Sequence, residues 1–568
     1  MKEGIFLLVN KLTKAVLLAT TMGSLSFTAA DAAPVETPPS GINAGQLAKD
    51  ANERRQAILD ADKKDKAEVS VPDSRPELDL PDEVKVEVKG FKVTGQDIYP
   101  EEKLLAVLDK RKGKLLSFRD LEAGADELSA YFRERGYVAV RVYLPVQKII
   151  NGIVEYAVEV GKFDKLTIRN HTTIHDSAVA REVRCLKQGE YLTKDKLQRA
   201  IWLLSDLAGA DAKAVLSQGS ETGTVHVEID LNKHKGKQGI VTIDNYGNRH
   251  TGYYELGVDY DFLNLAHEGD HFAVGGLVTG KHLYNYGFNY SIPVAVDGLK
   301  ASVGYNVLSY NMGEEFDYLD AVGTARIFNV GLDYAIRRSQ KNNLYTGIRY
   351  EHSALKDEYR AFNDVSDDKH GNAFIWSLYG DETDHYGSTF WRIENKFGNV
   401  GYSHASLSDG STKGGYYKLK GYITRREDLN PRWYLLLSGR GQYAYQDLDS
   451  SEHMSLGGFN GVRAYPSSEA SGDSGYIVRA ELRHLIPLKE QDKQLQLAFY
   501  FDHGGILRMS NYGDRYRHLE GAGIGLIFSR YEDWFIRTDY AWRLGPESPT
   551  SDTTDASGHF WIRGGVYF

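Results

Sequence analysis

The pattern of apolar and polar positions changes twice along the chain, and each change marks a different kind of structure. Residues 42–63, INAGQLAKDANERRQAILDADK, carry Ala, Gln, Lys, Arg and Glu with a sparse apolar set. That composition predicts one exposed helix, which buries little by itself. Residues 64–82, KDKAEVSVPDSRPELDLPD, are charged and hold three prolines, the makeup of an extended linker. A helix on such a tether can sit in two places, and a disordered tail would show the same composition. Residues 83–163 and 164–232 then repeat one small α/β unit of strand, two helices and two strands. In the first copy VKVEVKGFKV alternates as a strand, and a later helix starts at Ser117 with Asp120 placed for a capping box. Leu121, Ala125, Leu128 and Phe132 mark its buried face, Gly136 ends it, and AVRVYLPVQKI and GIVEYAVEVG close the unit. The second copy runs from DKLTIRN through a helix beginning at Thr193 to TGTVHVEIDL. Cys185 falls between its helices, the place of a small buried side chain.

From about residue 237 to residue 568 helical periodicity stops and period-two alternation takes over. Leu256, Val258 and Tyr260 alternate with Glu255, Gly257 and Asp259, and Trp534, Ile536, Tyr540 and Trp542 with Phe535, Arg537, Asp539 and Ala541. A soluble sandwich would alternate similarly. Long strands, aromatic residues gathered at strand ends, and a final segment HFWIRGGVYF with Phe560, Ile562, Val566 and Phe568 on one side favour an outer-membrane barrel instead. Roughly 330 residues at about 20 per strand and connection give about 16 strands, wide enough to leave an aqueous passage. The alternation does not fix strand boundaries through residues 377–402.

Composition sharpens this picture. The 37 Tyr and 57 Gly suit a protein of antiparallel strands and turns, and the single cysteine excludes an internal disulfide and any cysteine cluster. A formal charge of −10 argues against nucleic acid. Lys11 and Lys14 precede an apolar run that ends in small residues, with Ala30 and Ala32 placed for cleavage. Residues 1–32 therefore read as a secretory signal, with a buried N-terminal helix as the alternative.

Candidate chemistry is sparse. GGLVTGKH at 275–282 approaches a phosphate-binding loop, but His282 stands at the hydroxyl position and a strand follows, so Gly275 and Gly280 read as strand glycines. No metal set is expected from the 17 histidines, and Asp502 and His503 face opposite sides of a strand, which spoils them as an acid–base pair. No enzyme, metal or cofactor is expected. One charged group does ask for a partner. Alternation sends Leu495, Leu497, Phe499 and Phe501 outward and Asp502 into the lumen, and on the preceding strand Arg479, Glu481 and Arg483 inward. Upstream, the glycine-rich loop GGFNGVRAYP carries Arg463. Folded back into the barrel, Arg463 could clamp Asp502. Alternatively Arg463 is a solvated loop residue and Asp502 pairs with Arg479 or Arg483.

SEHMSLGGFNGVRAYP, followed by GDSGYIVRAELR and FYFDHGG, resembles the two-partner secretion transporters (TpsB, ShlB/FhaC/HecB-like), relatives of the BamA assembly proteins. The resemblance covers nearly all of the mature chain. It implies a mainly β protein with an N-terminal plug helix (42–63), a linker (64–82), two tandem α/β POTRA domains (83–163 and 164–232) and a 16-stranded transmembrane β-barrel (237–568). The family's Val-Arg-Gly-Tyr loop motif falls on Val462, Arg463 and Tyr465, with Ala464 in place of glycine. Its Phe-x-Asp-x-Gly strand motif falls on Asp502 and Gly504, with Tyr500 in place of Phe. The arginine–aspartate clamp is thereby implied. So are a place in the outer membrane, with lipid around the barrel and POTRA domains in the periplasm, and action as a monomer. The implied activity is nucleotide-free export of a large secreted TpsA-type exoprotein, a hemolysin or adhesin, past a plug helix that fills the pore at rest. An outer-membrane assembly factor is the alternative; a passive porin has no use for two periplasmic modules.

Overall fold

A computed structural model describes residues 42–60, 68–70, 85–221, 223–280, 282–363, 365–408, 410–508, 516–552 and 557–568. The signal segment 1–32, the end of the 42–63 helix and most of the 64–82 linker lie outside the described residues.

Sixteen antiparallel strands, from Gly239–Asp244 to Gly558–Tyr567, form a closed barrel. The first and last strands seal it in the register Ile240↔Tyr567 to Asp244↔Arg563. Alternation works as lipid outside and polar lumen inside demand. Phe374, Trp376, Phe499, Phe501 and Ile524 are exposed on the outer wall, while Glu255, Lys396, Lys418, Glu481 and Asp502 are buried within. Strand length varies from 6 residues in the first strand to 19 in Gly387–Ala405. The longest would measure roughly 60 Å at about 3.3 Å per residue, so that side of the wall stands well clear of a bilayer. Strands Ser366–Thr383 and Gly387–Ala405 meet at the turn 384–386, inside the stretch whose boundaries the alternation leaves open.

Two α/β modules precede the barrel. In the first, the sequence expects one strand over 84–93, but the structure breaks it into Lys85–Val88 and Gly90–Thr94, which join different sheets. Lys89 turns its N–H to the Gly152 carbonyl at 2.7 Å, and this diverts the chain between them. The helix Phe118–Glu134 has the full Ser117–Asp120 capping box and buries Leu121, Ala125, Leu128 and Phe132. In the second module the opening strand is Lys162–Asn170, which starts ahead of residue 164. Its sheet runs Glu68–Ser70, Ala210–Gln218, Thr224–Lys233, Lys162–Asn170. The first of these strands belongs to the linker and pairs parallel with the module's edge, Glu68↔Lys213 to Ser70↔Val215. The linker thus caps one sheet edge, and Lys162–Asn170 remains the other. Cys185 packs partly buried against this core, and burial pushes its thiol up to about 11.

The second module docks on the barrel turns that lie at the same end as the start of the first strand. Asp206 receives two nitrogens of Arg338 at 2.7 and 2.8 Å, and the same guanidinium lies 4.8 Å from the Trp202 ring. Arg199 pairs with Asp297 at 2.8 Å and donates to the Ala335 carbonyl at 2.7 Å. Glu182 accepts the Gly298 N–H at 2.8 Å. Several charge-assisted bonds from different turns fix the module's angle more firmly than any one contact could.

Candidate functional site

Two objects fill the lumen: the helix Ala44–Asp60 and the long loop 445–473. The helix is not the exposed rod that its sparse apolar set suggests. Ile42, Ala44, Leu47, Ala48 and Ala51 are buried in one cluster with Leu283, Leu308, Tyr310, Phe316, Leu319 and Leu355. Its few apolar residues suffice because inward positions of the wall supply the other half of the core. Small residues let it approach closely: a Cβ on Gly45 would come 2.3 Å from the Ser451 Cβ. The Ala44 N–H donates to the Asp357 carboxylate at 3.0 Å, satisfying one orphan donor of the helix start.

Charges fix the helix along the wall. Lys49 pairs with Glu452 at 3.0 Å, and Lys396 and Lys418 meet the same carboxylate at 2.9 and 2.7 Å. Burial alone would raise the Glu452 carboxyl, but the three ammonium groups outweigh it and hold it well below the usual carboxylate range. One turn further along the helix, Glu53 meets Arg440 at 3.0 Å and Lys420 at 3.5 Å.

The loop 445–473 folds back inside the barrel and seats Arg463 with no exposed surface. Its Nε and one terminal nitrogen each reach Asp502 at 2.7 Å, and the Arg463 backbone N–H donates to the same carboxylate at 3.1 Å. The other terminal nitrogen reaches Glu481 at 2.5 Å and Asp539 at 3.9 Å. The guanidinium lies 3.3 Å from the Tyr500 ring centre, so its flat face is covered as well. Bidentate bonding, stacking and a backbone bond together fix position and orientation.

Of the residues singled out by sequence, Val462, Arg463, Tyr465, Asp502 and Gly504 come together here. Val462 and Tyr465 are fully buried, and a Cβ on Gly504 would lie 3.1 Å from the Val462 side chain. Arg479 also reaches Asp502, at 3.3 Å, while Arg483 pairs with Glu481 at 2.6 Å. The aspartate is therefore shared between loop and neighbouring strand. Ala464 lies outside the left-handed residues, so its methyl group brings no backbone strain. The space for it comes from Gly521, where a Cβ would fall 2.4 Å from that of Ala464. Sequence reasoning missed three parts of the site. Glu481 contacts Arg463 directly; Arg537 links Glu481 and Asp539 at 3.2 and 2.7 Å; and the Trp561 indole N–H donates to the Arg463 carbonyl at 2.7 Å. Alternation places the charged members of this set inward, but choosing partners among them needs the cross-strand register.

Two histidine pairs nonetheless have metal-ligand spacing in the sequence. His267-Glu268-Gly269-Asp270-His271 has the spacing of a zinc-hydrolase motif, and His171 and His175 stand four apart. Neither is helical. His267 takes a left-handed turn conformation, His271 pairs with Asp261 at 2.9 Å, and Glu268 pairs with His175 at 3.2 Å. Among the described residues no group of three or more His, Cys, Asp and Glu could hold a metal.

Comparison with known proteins matches this architecture. The family profile described as haemolysin secretion/activation protein ShlB/FhaC/HecB fits residues 223–528, and that of the ShlB-type POTRA domain fits residues 86–161. The chain is similar to the heme/hemopexin transporter protein HuxB of Haemophilus influenzae, 26% identical over 493 residues, covering 82% of this chain and 84% of the relative. Among solved structures it resembles CdiB from Escherichia coli, with a TM-score of 0.70 and 18% identity over 92% of this chain and 97% of that one. It also resembles CdiB from Acinetobacter baumannii, with a TM-score of 0.64 and 17% identity over 92% and 98%. At these identities the two structures speak for the fold.

Proposed function

The chain belongs to the haemolysin secretion/activation family ShlB/FhaC/HecB, and on that premise we propose that it exports one dedicated exoprotein as an extended chain through a lumen the helix vacates. It is an outer-membrane two-partner secretion transporter with POTRA domains in the periplasm. The observation that carries the route is a closed barrel whose lumen holds, beside its own clamped loop 445–473, a helix that is no part of the wall. The helix enters on a tether and is held by two charge clusters and one small apolar face. Such a filling can leave without opening a single barrel bond.

The periplasmic modules capture the client by strand addition. With the Ala210–Gln218 edge covered by the linker and the start of Lys162–Asn170 bonded to 189–191, the stretch 164–170 is the edge the second module offers. Nothing in this account consumes nucleotide, and folding of the client outside, with burial of its own core, supplies the pull. The clamp at Arg463 keeps the long loop against strands Ser474–Ile486 and Lys493–Arg508 while the helix moves. The partner is a large secreted protein of the hemolysin or adhesin kind, and the haemolysin named in the family description supports the first of these. The match with a heme/hemopexin transporter favours, as a second reading, a partner that engages a heme carrier.

Deleting the gene and quantifying secreted and outer-membrane proteins together tests this. Loss of a single large exoprotein with other barrel proteins at normal levels is expected. A general fall in barrel proteins with no client lost would make the chain an assembly factor.

A further inference from the structure

Among the described residues, one level of the lumen wall holds more cations than the carboxylates paired with them. Arg349, Arg392, Lys420 and Arg440 stand at the level of Glu53, and among the described residues the carboxylates they pair with are Glu394 and Glu53. Glu394 serves Arg392 at 3.5 Å and Arg349 at 4.0 Å, the outer limit of an ion pair. Glu53 serves Arg440 and Lys420. The Nε atoms of Arg349, Arg392 and Arg440 are buried and have no hydrogen-bond acceptor among the described residues. Buried donors of this kind are costly unless something arrives to accept from them. The four charged side chains keep between 25% and 42% of their surface open, so an occupant of the lumen can reach them.

The neighbouring cluster behaves differently. There Lys396 and Lys418 face Glu351 and Glu452, and the helix adds Lys49. When the helix leaves, that level becomes balanced at two against two. Counted over the described residues, the Glu53 level instead goes from a surplus of two positive charges to a surplus of three. Aromatic rings lie among these cations. Tyr422 faces Arg392 on one neighbouring strand and Arg440 on the other, and Arg392 sits 4.5 Å from the Tyr379 ring, itself stacked on Tyr345 at 5.0 Å. Flat rings and fixed guanidinium groups suit carboxylates and planar peptide groups, and they demand acidic side chains in no particular order.

We infer that Arg349, Arg392, Lys420 and Arg440 form a docking station for carboxylate side chains of an extended polypeptide, held at rest by Glu53 and taken by acidic residues of the exported chain. The inference rests on the export reading and adds a chemical preference to it. An acidic segment competes for the cations that anchor the helix, so its arrival and the helix's departure are one exchange. A basic segment of equal length gains nothing there.

The test uses the full-length protein in planar bilayers, with a soluble peptide alternating Glu and Ser added on the periplasmic side and its Lys-and-Ser counterpart as control. The acidic peptide raises opening frequency and then blocks the current, and the basic peptide does neither. Glu53→Gln frees the helix and strengthens acidic block. K420Q/R440Q also frees the helix, because Glu53 loses its partners, but weakens acidic block about tenfold or more, as loss of two charge-assisted contacts should. If the cations merely anchored the helix, the two variants would block alike. Equal block by both peptides, or block unchanged in K420Q/R440Q, overturns the station. Should that happen while the deletion strain still loses its exoprotein, the export reading stands and only the station falls.

Discussion

Arg463 is buried among three carboxylates, so its contribution shows most clearly in what its removal strands. Arg463→Ala leaves Asp502 with the backbone N–H of residue 463 at 3.1 Å and a 3.3 Å contact to Arg479, and it uncovers Tyr500; breaking a buried ion pair by removing one partner costs about 3–5 kcal/mol. The folded barrel should unfold at markedly lower temperature on heat-shifted gels. R463A/D502A should be less damaged than the two single losses added together, because the stranded charge goes too. The Ala464–Gly521 contact gives a second test. Gly521→Ala puts two methyl groups 2.4 Å apart and should cost about 1–3 kcal/mol, and A464G/G521A should restore most of it. An A464G/G521A barrel no more stable than G521A would contradict the fit described here. The Ala464–Gly521 contact was not legible in the sequence, whereas the Arg463–Asp502 clamp was, as one of two alternatives that the family resemblance decided between. Alternation says which residues point inward, but Arg463 chooses among Asp502, Glu481 and Asp539 through a loop whose path no local pattern encodes.

Among elements, the helix Ala44–Asp60 is held by a small apolar face and by charge. Gly45→Val should unseat it, since Ser451 leaves no room for a Cβ, and open events in planar bilayers should become frequent without loss of barrel stability. The pH response follows from Glu452. Because its seated carboxyl is held below the ordinary value, its contribution is present above that value and is lost only as pH falls through the lowered one. As far as Glu452 sets the seating, opening frequency should therefore stay flat between about pH 7.5 and pH 5, where an unshifted carboxylate is already mostly charged. A steep rise in opening across that window would mean that other groups govern the seating. The helix itself was readable from composition, but its burial was not, because half of its core belongs to the wall. The linker strand Glu68–Ser70 was equally hidden: three residues carry no periodicity, and only the partner edge Ala210–Gln218 makes them a strand.

For the whole molecule, the sixteen-strand barrel was the most legible feature, since lipid on one side and lumen on the other impose a two-residue period over some 330 residues. What the period could not show is the joint between periplasm and membrane. Arg338→Ala should loosen it by removing two bonds to Asp206 and the cover over Trp202. Faster hydrogen exchange in the helix Lys194–Ser205 would register the change, with the first module unaffected. The central claim is that a secreted chain passes through the lumen. Its most direct test is photo-crosslinking in secreting cells from two adjacent positions on one strand: Ser377, which faces the lumen beside Glu394, and Trp376, which is exposed to lipid. The account predicts that a crosslinker at 377 captures a large exoprotein in transit and one at 376 does not. Capture from 376 alone, or none from 377 while secretion proceeds, would contradict it.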